Sequence, residues 1–334
     1  MLFESKDYFQ EGKLDYDLVL NDFPWLLERN KKCILSPDSD GFLSGLLMSH
    51  FLDWKIVGYY DGKVMAKTPG TKIDDVVFLD MEIFRKNIKS IGHHMVLNNK
   101  RNVPINWDNY ANCIQLNNLV GFDAKNDFRS KYPFGTIHFL LAILKTRIDG
   151  INLSHESISS LLYTDGTFKN IFNFPENSLN WLDYLDAKSP QNPLNKVFFN
   201  NAYSISSLMI DLQEYFKSIS KFGKNSDKLK ISNSKGEPQN LIAEGTSNFS
   251  IVDEEKNKVK NFLTFLALKT GWLFDENKWT FSNLKVYKFT KQITNKINKS
   301  VYDSISSNAF SWAITGTTTI EYTLEGPNYL SEVD

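Results

Sequence analysis

In the first half of the chain, short apolar runs alternate with segments of helical period, the pattern of an α/β protein. Runs rich in β-branched and aromatic residues predict buried strands over Lys32–Leu35, Trp54–Tyr60, Asp75–Leu79 and Cys113–Leu116. Apolar residues three and four apart predict helices over Phe42–Phe51, Pro133–Leu144 and, with Ser154 as N-cap, up to Leu162. We therefore expect a mainly parallel sheet flanked by helices.

A polar, proline-bearing stretch, AKSPQNP, begins at Ala187 and predicts a hinge. Helical spacing returns over Ile205–Phe222 and Asp253–Thr270, and the segment between them predicts loops or short strands. After Thr270, alternating aromatic and polar residues predict strands. A length of 334 residues suits two domains. We expect an N-terminal domain over 1–186, a linker over 187–204 and a smaller C-terminal α+β domain over 205–334 that binds substrate or a partner.

The net charge of −1 conceals a basic segment between two acidic ones. Residues 1–216 carry a net charge of −4, residues 217–300 carry +8 and residues 301–334 carry −5. Within the basic segment, aromatic residues alternate with lysines, which suits stacking and charge neutralisation of single-stranded nucleic acid. The competing interpretation is a solvated lysine surface over core aromatics. The residues concerned are Trp272, Trp279, Tyr287, Phe289, Lys278, Lys285, Lys288 and Lys291.

Two cysteines, Cys33 and Cys113, are too few for a disulfide framework, and each lies in an apolar run typical of a buried strand. The first residues are acidic where a signal peptide needs basic ones. No apolar run approaches the ~18 residues of a membrane span. We expect a cytoplasmic protein without a membrane partner.

Acidic and histidine residues follow several of the predicted strands, where ligands collect in α/β sheets. Asp38 and Asp40 form an Asp-x-Asp-Gly turn, which suits either a divalent cation or ordinary turn chemistry. Asp80 ends a buried run and is either a functional carboxylate or a helix N-cap. His93 and His94 are adjacent, and Asp165 starts another turn. None of these features alone identifies a site.

Taken in order, these residues resemble the signature of the DHH phosphoesterase family over roughly residues 31–185. SPDSDGFLSG is similar to the first motif, VVFLDM to the second, SIGHHM to the third and LLYTDGTF to the fourth. The resemblance implies two divalent ions, usually Mn²⁺, with Mg²⁺ as the alternative. It implies that Asp80 bridges both ions, with Asp38 on one side and Asp40, His93 and Asp165 on the other. His94 would contact the scissile phosphate.

The chain departs from this family pattern in three places. Gly92 stands where the third motif has an aspartate, and Glu82 or His138 are the candidates to replace it. Ile34 stands where some branches have a histidine, which favours RecJ-like members. No glycine-rich loop with histidine occurs near the C-terminus, and the nearest parallel is the turn around Thr315 and Gly316.

The resemblance implies metal-dependent hydrolysis of phosphodiesters, with single-stranded nucleic acid, short oligonucleotides or nucleotides as substrates. His94 and Asp80 are the predicted catalytic residues, and substrate contacts are predicted for His94, Thr315, Gly316, Lys288 and Lys291. The alternative is a catalytically weakened scaffold or sensor that binds a nucleotide or partner without turnover. The sequence leaves the oligomeric state open, with a homo-oligomer among the alternatives.

Overall fold

A nine-stranded curled sheet with flanking helices organises the protein in the computed structural model, which describes residues 8–201, 203–245, 247–295 and 298–326. The strands are β1 (Phe9–Gln10), β2 (Lys13–Leu14), β3 (Lys32–Leu35), β4 (Lys55–Tyr60), β5 (Val64–Lys67), β6 (Val76–Leu79), β7 (Lys89–Gly92), β8 (Cys113–Gln115), β9 (Leu241–Glu244), β10 (Asn248–Ile251), β11 (Lys285–Thr294), β12 (Ala309–Gly316) and β13 (Thr319–Glu325). The helices are α1 (Tyr16–Asp22), α2 (Ser39–Leu52), α3 (Leu116–Leu119), α4 (Ala124–Asp127), α5 (Thr136–Lys145), α6 (Ser157–Tyr163), α7 (Thr167–Asn173), α8 (Pro175–Tyr184), α9 (Pro193–Phe198), α10 (Ile205–Ser220), α11 (Asp253–Thr270) and α12 (Lys299–Asn308).

The large sheet has the order β12-β13-β11-β5-β4-β3-β6-β7-β8. Its β4-β3-β6-β7-β8 part is parallel, and the strands from β5 to β12 pair antiparallel. This confirms the predicted α/β class with a mainly parallel N-terminal sheet. In the register, Leu35 lies opposite Leu79, and Leu79 lies opposite Ile91. The carboxyl ends of β3, β6 and β7 therefore meet at one edge.

Two helices pack at this edge and bring further residues to it. In α2, most side chains are buried, and the helix packs against both α5 and α11. It begins directly after β3, with Asp38 as its N-cap. The first turn of α5 lies against the first turn of α2, so two helix N-termini converge where three strands end.

The curl of the sheet brings its last strand back over the central ones. Phe310 in β12 packs against Tyr60 and Phe78 on the face opposite α2. The backbone N of Ile314 donates to the carbonyl of Met95 at 2.8 Å, just beyond β7. Strand β12 therefore lies beside the edge that carries the predicted site.

Most predicted elements are confirmed within one to three residues, and α11 matches its predicted range Asp253–Thr270. Strands β5 and β7 were not predicted. The segment after Thr270 forms strands as expected, except for α12, whose N-cap Asn298 accepts a hydrogen bond from the backbone N of Val301. Both cysteines are free and buried, in β3 and β8, as expected.

The proposed linker over 187–204 divides the chain but not the large sheet. Strand β11 follows the linker and pairs antiparallel with β5, which precedes it, so that Val286 lies opposite Ala66. The division into two domains stays a prediction. Within the described ranges, no helix combines the length and apolar character needed to cross a membrane.

Candidate metal centre

Four predicted ligands meet at the carboxyl edge of the parallel strands. Asp40 lies in the first turn of α2, Asp80 follows β6, His93 follows β7, and Asp165 lies in the turn between α6 and α7. One ligand atom from each of the four residues lies within 4.8 Å of the other three. Three carboxylates and one imidazole at this spacing can hold a divalent metal ion.

His93 lies at the middle of this cluster. Its Nε2 is 3.0 Å from Asp165 Oδ2, and its Nδ1 is 3.3 Å from Asp80 Oδ1 and 3.7 Å from Asp40 Oδ2. Its Nδ1 is also 3.0 Å from the Thr136 hydroxyl, which donates to Asp80 Oδ1 at 2.9 Å. Both ring nitrogens therefore face oxygen acceptors, which favours the imidazolium form.

Asp40 is fixed by the start of α5. The backbone N of Thr136 donates to Asp40 Oδ2 at 2.5 Å, and that of Ile137 donates to Oδ1 at 3.0 Å. The preceding residue is Gly135, and a Cβ there would lie 2.9 Å from the Asp40 carboxyl atoms. The chain thus places a helix N-terminus, which favours negative charge, directly on a ligand carboxylate.

Asp38 lies beside this cluster but not within the four-residue group. Its carboxylate accepts a hydrogen bond from the Ser36 hydroxyl at 3.0 Å and one from the backbone N of Gly41 at 3.3 Å. It shares a cavity of about 230 Å³ with Asp80 and Asp165. The assignment of Asp38 to a second ion stays a prediction.

Apart from His93, no basic side chain among the described residues pairs with the carboxylates of the cluster. Within the part of the chain that the structure describes, no lysine or arginine forms an ion pair with Asp38, Asp40, Asp80 or Asp165. Burial and the repulsion between these carboxylates raise the pKa of Asp40 and of Asp80 well above the usual range, and that of Asp38 also rises. A bound cation would relieve this cost, so the donor set fits a metal ion.

His93 and Asp165 form the compensating pair. Burial opposes a charge on His93, but the carboxylates of Asp165, Asp40 and Glu82 outweigh it and raise the imidazole pKa. Burial would raise the pKa of Asp165, but His93 outweighs burial and lowers it. Asp80 and Asp165 also have left-handed backbone conformations, with φ of 59° and 52°. Such strain in non-glycine residues is concentrated at functional sites.

Glu82 takes the place left open by Gly92. A Cβ on Gly92 would lie 2.6 Å from Glu82 Cδ and 2.8 Å from both carboxylate oxygens. The buried carboxylate accepts the backbone N–H of His94 at 2.6 Å, and its other oxygen is 3.0 Å from His94 Nδ1. Of the two predicted replacements for the missing aspartate, Glu82 therefore has the required position.

His138 does not replace the missing aspartate. Its Nδ1 accepts a hydrogen bond from the backbone N of Gly135 at 3.1 Å, at the start of α5. Its ring is buried against Phe134 and Phe198, and burial lowers its pKa to about 4. A neutral imidazole that caps a helix cannot orient His94.

Two cavities open onto the cluster. The cavity of about 230 Å³ is lined by Asp38, Asp80, His94, Thr315 and Lys291. A second cavity, of about 380 Å³, is lined by His93, His94 and Asp165 and continues towards Arg129. His94, whose side chain is 35% exposed, lines both cavities and can reach a bound molecule from either side.

The other predicted substrate contacts are placed less favourably. Gly316, the last residue of β12, does not line the cavity of about 230 Å³. Lys291 lines it, but its Nζ is 2.6 Å from Glu321. Lys288 pairs with Glu237 and lines a separate groove of about 720 Å³. Neither lysine offers an unpaired charge.

Of the two interpretations of the basic segment, the structure supports the one with buried aromatic residues. Their exposed fractions are 4–6%, because each packs into the core, as the competing interpretation held; they are Trp272, Trp279, Tyr287 and Phe289. Trp279, for example, lies against Phe42 of α2 and Phe274. Buried rings present no face to a base.

Sequence reasoning missed Thr136 and Gln115. The Thr136 hydroxyl connects Asp80 to His93, and Gln115 Nε2 is 3.4 Å from Glu82 Oε1. Both residues come from elements distant in sequence from the motifs. The one sequence feature that could have indicated such a contact is the Gly135-Thr136 pair near the start of a predicted helix.

Comparisons with protein-family models, with curated proteins and with solved structures gave no match to this chain.

Proposed function

We propose that this protein is a divalent-metal-dependent phosphodiester hydrolase that acts on single-stranded nucleic acid or short oligonucleotides. The observation that carries the proposal is the meeting of Asp40, Asp80, His93 and Asp165 within 4.8 Å, with the first three buried and no lysine or arginine paired with the carboxylates among the described residues. Structural ion-pair networks seldom leave several buried carboxylates unneutralised.

The residues divide into two sets around Asp80. Asp40, His93 and Asp165 would hold one ion with Asp80, while Asp38 would hold a second ion with Asp80 from the smaller cavity. The mixed oxygen and nitrogen donors favour Mn²⁺ for the first site, with Mg²⁺ as the alternative. Bound ions of this kind lower the pKa of water and stabilise charge on phosphorus.

His94 is the residue placed to contact the substrate phosphate. Its Nδ1 is turned towards Glu82 at 3.0 Å, which leaves Nε2 for the cavities that the ring lines. The neighbouring carboxylate orients the ring and favours the tautomer with the proton on Nδ1.

One of the two observations behind the alternative, a scaffold or sensor without turnover, has a structural counterweight. That alternative depended on Gly92 and on the absence of a glycine-rich loop. Glu82 supplies the carboxylate that Gly92 lacks, so the first departure from the family pattern is compensated by its neighbour.

Hydrolysis assays with purified protein test the proposal. With Mn²⁺, we expect cleavage of at least one substrate among single-stranded DNA, RNA, dinucleotides, cyclic dinucleotides and bis(4-nitrophenyl) phosphate. Cleavage should disappear with EDTA and in Asp80→Asn. Asp75→Asn is the matched control, because it changes an exposed aspartate that directly precedes the first residue of β6. Metal binding without cleavage of any substrate would favour the sensor instead.

A further inference from the structure

We infer that a groove leading away from the metal centre binds the backbone of a single-stranded polynucleotide several nucleotides long. The inference rests on the proposed function and names the form of its substrate, a polymer that extends beyond the reacting phosphate. The groove is formed by the segment that contains α4 and by the start of α12.

The groove is continuous with the site. The cavity of about 380 Å³ that contains His93, His94 and Asp165 is also lined by Phe128 and Arg129. The same two residues line the next cavity, of about 630 Å³, which reaches Lys125 and Lys299. A chain whose phosphate lies at His94 can therefore continue past Arg129 into the second cavity.

The cations along this path have no acidic partners. Lys131 lies nearest the site, followed by Arg129, and then by Lys125 and Lys299 in the second cavity. Among the residues that the structure describes, none of these four forms an ion pair. Their charges are thus available to phosphates.

Several exposed lysines outside this path form ion pairs with acidic side chains. Exposed lysines elsewhere, such as Lys13, Lys188 and Lys217, lie 2.7–2.8 Å from Asp186, Asp183 and Glu214. In the groove of about 720 Å³ on the antiparallel part of the sheet, Lys288 and Lys291 are paired with glutamates. The path from Lys131 to Lys299 therefore presents to a polyanion four cations that form no ion pair among the described residues.

The rest of the lining suits unpaired bases. Phe174 is 57% exposed and lines the cavity next to the metal centre, so its ring offers a stacking face. Asparagine side chains line the second cavity, where their amides can donate to or accept from base edges and sugars; they include Asn98, Asn99, Asn102 and Asn298. Stacking on an exposed ring requires bases that are free of a complementary strand.

Binding measured without turnover tests the groove separately from catalysis. In EDTA, fluorescence anisotropy of the full chain with labelled oligo(dT) and oligo(U) should give at least ~10-fold tighter binding for 12-mers than for dinucleotides. The triple variant Lys125→Gln/Arg129→Gln/Lys299→Gln should weaken 12-mer binding by at least ~10-fold. It should also reduce the slope of log affinity against log salt by about 2, because each lost contact removes ~0.7.

A control variant removes the same number of charges outside the groove. Lys13→Gln/Lys188→Gln/Lys217→Gln alters three exposed lysines that are already paired, and it should change 12-mer affinity less than ~2-fold. Equal losses in both triple variants would overturn the groove, as would equal affinity of wild-type protein for 12-mers and dinucleotides. A duplex that binds as tightly as a single strand would overturn the single-strand assignment.

The two proposals fail in different ways. If wild-type protein with Mn²⁺ cleaves bis(4-nitrophenyl) phosphate but binds 12-mers no better than dinucleotides, the groove is wrong and the hydrolase stands. If 12-mers bind through the groove residues but no phosphodiester is cleaved, the hydrolase is wrong and the groove remains as a binding site.

Discussion

The parallel and antiparallel parts of the sheet differ in whether their charged side chains are buried or exposed and in how they are paired. At the carboxyl ends of β3, β6 and β7, the carboxylates of Asp40 and Asp80 are buried beside His93 and have no lysine or arginine partner among the described residues. On β11 and β13, lysines and glutamates are half-exposed or exposed and pair across the strands, as Lys291 does with Glu321. The net charge of a segment therefore does not indicate where a free charge lies.

Exposed ion pairs and buried carboxylates without a lysine or arginine partner have different consequences for the protein. Exposed ion pairs contribute little to stability, and a paired lysine attracts a phosphate weakly. Buried unpaired carboxylates are costly and persist only when a ligand or a mechanism uses them. In the basic segment over 217–300, Lys288 and Lys291 are neutralised by glutamates, whereas the acidic half contains the Asp/His cluster.

The largest change comes from removing the shared carboxylate. Asp80→Asn keeps an acceptor for the Thr136 hydroxyl but removes the charge that both predicted ions require. We expect Mn²⁺-dependent hydrolysis to fall by more than ~100-fold, beyond the 10- to 100-fold loss typical of residues around a metal site. Initial rates measure this, with Asp75→Asn as control. If Asp80→Asn retains a tenth of the activity, the cluster around Asp80 is not the site of hydrolysis.

A smaller loss should follow from weakening the hold on His94. Glu82→Gln keeps the volume but removes the carboxylate at 3.0 Å from His94 Nδ1. We expect kcat to fall by ~10- to 100-fold, while Mn²⁺ affinity changes little because Glu82 is not a ligand. Glu237→Gln, which alters an exposed glutamate paired with Lys288, is the matched control. Loss of Mn²⁺ affinity equal to the loss of kcat would contradict the assignment.

The spatial exchange between Glu82 and Gly92 gives a rescue experiment. Gly92→Asp alone should fold poorly, because its Cβ would lie 2.6 Å from Glu82 Cδ. Glu82→Ser/Gly92→Asp, which moves the carboxylate to the family position, should recover at least part of the activity lost in Glu82→Ser. Thermal unfolding and kcat together separate a folding defect from a lost orientation.

The shifted pKa values of the Asp/His cluster also predict how stability changes with pH. The raised pKa values of Asp40 and Asp80 contribute stability that is complete below their unfolded value of about 4 and is lost as the pH rises through their folded values. The raised pKa of His93 acts in the same direction, and the lowered pKa of Asp165 opposes it only below about pH 4.

Metal-free wild type should therefore lose stability relative to Asp80→Asn as the pH rises above about 4. Each unit of raised pKa corresponds to about 1.4 kcal/mol. Urea unfolding of both proteins in EDTA between pH 4 and 8 measures the difference. A difference that stays constant or changes in the opposite direction would show that Asp80 is not held in a costly environment.

The smallest change should come from the paired lysines. Lys288→Gln removes a charge that Glu237 already neutralises, so oligonucleotide affinity should change less than ~2-fold. Anisotropy in EDTA checks this against the groove variant. A ~10-fold loss of oligonucleotide affinity would show that the basic segment binds nucleic acid, as its sequence suggested.

Sequence reasoning anticipated the ligands because each is a polar residue at the end of a recognisable apolar run. Asp80 follows VVFL, and His93 follows Ile91, although β7 itself, with the sequence KSIG, has too few apolar residues to predict a strand. What escaped prediction depends on tertiary contacts. The fit of Glu82 against Gly92 needs a loop to fold back on a strand, and the pairing of Lys291 with Glu321 needs the register of β11 and β13.

Binding of Mn²⁺ by the metal-free protein tests the central claim most directly. We expect saturable binding by calorimetry, with an increase in unfolding free energy of about 2.7 kcal/mol at a free Mn²⁺ concentration of 100 times Kd. Asp80→Asn should lose this increase, and Asp75→Asn should keep it. Absence of binding by wild type at millimolar Mn²⁺ and Mg²⁺, or equal binding by Asp80→Asn, would contradict the metal centre and the hydrolase proposed from it.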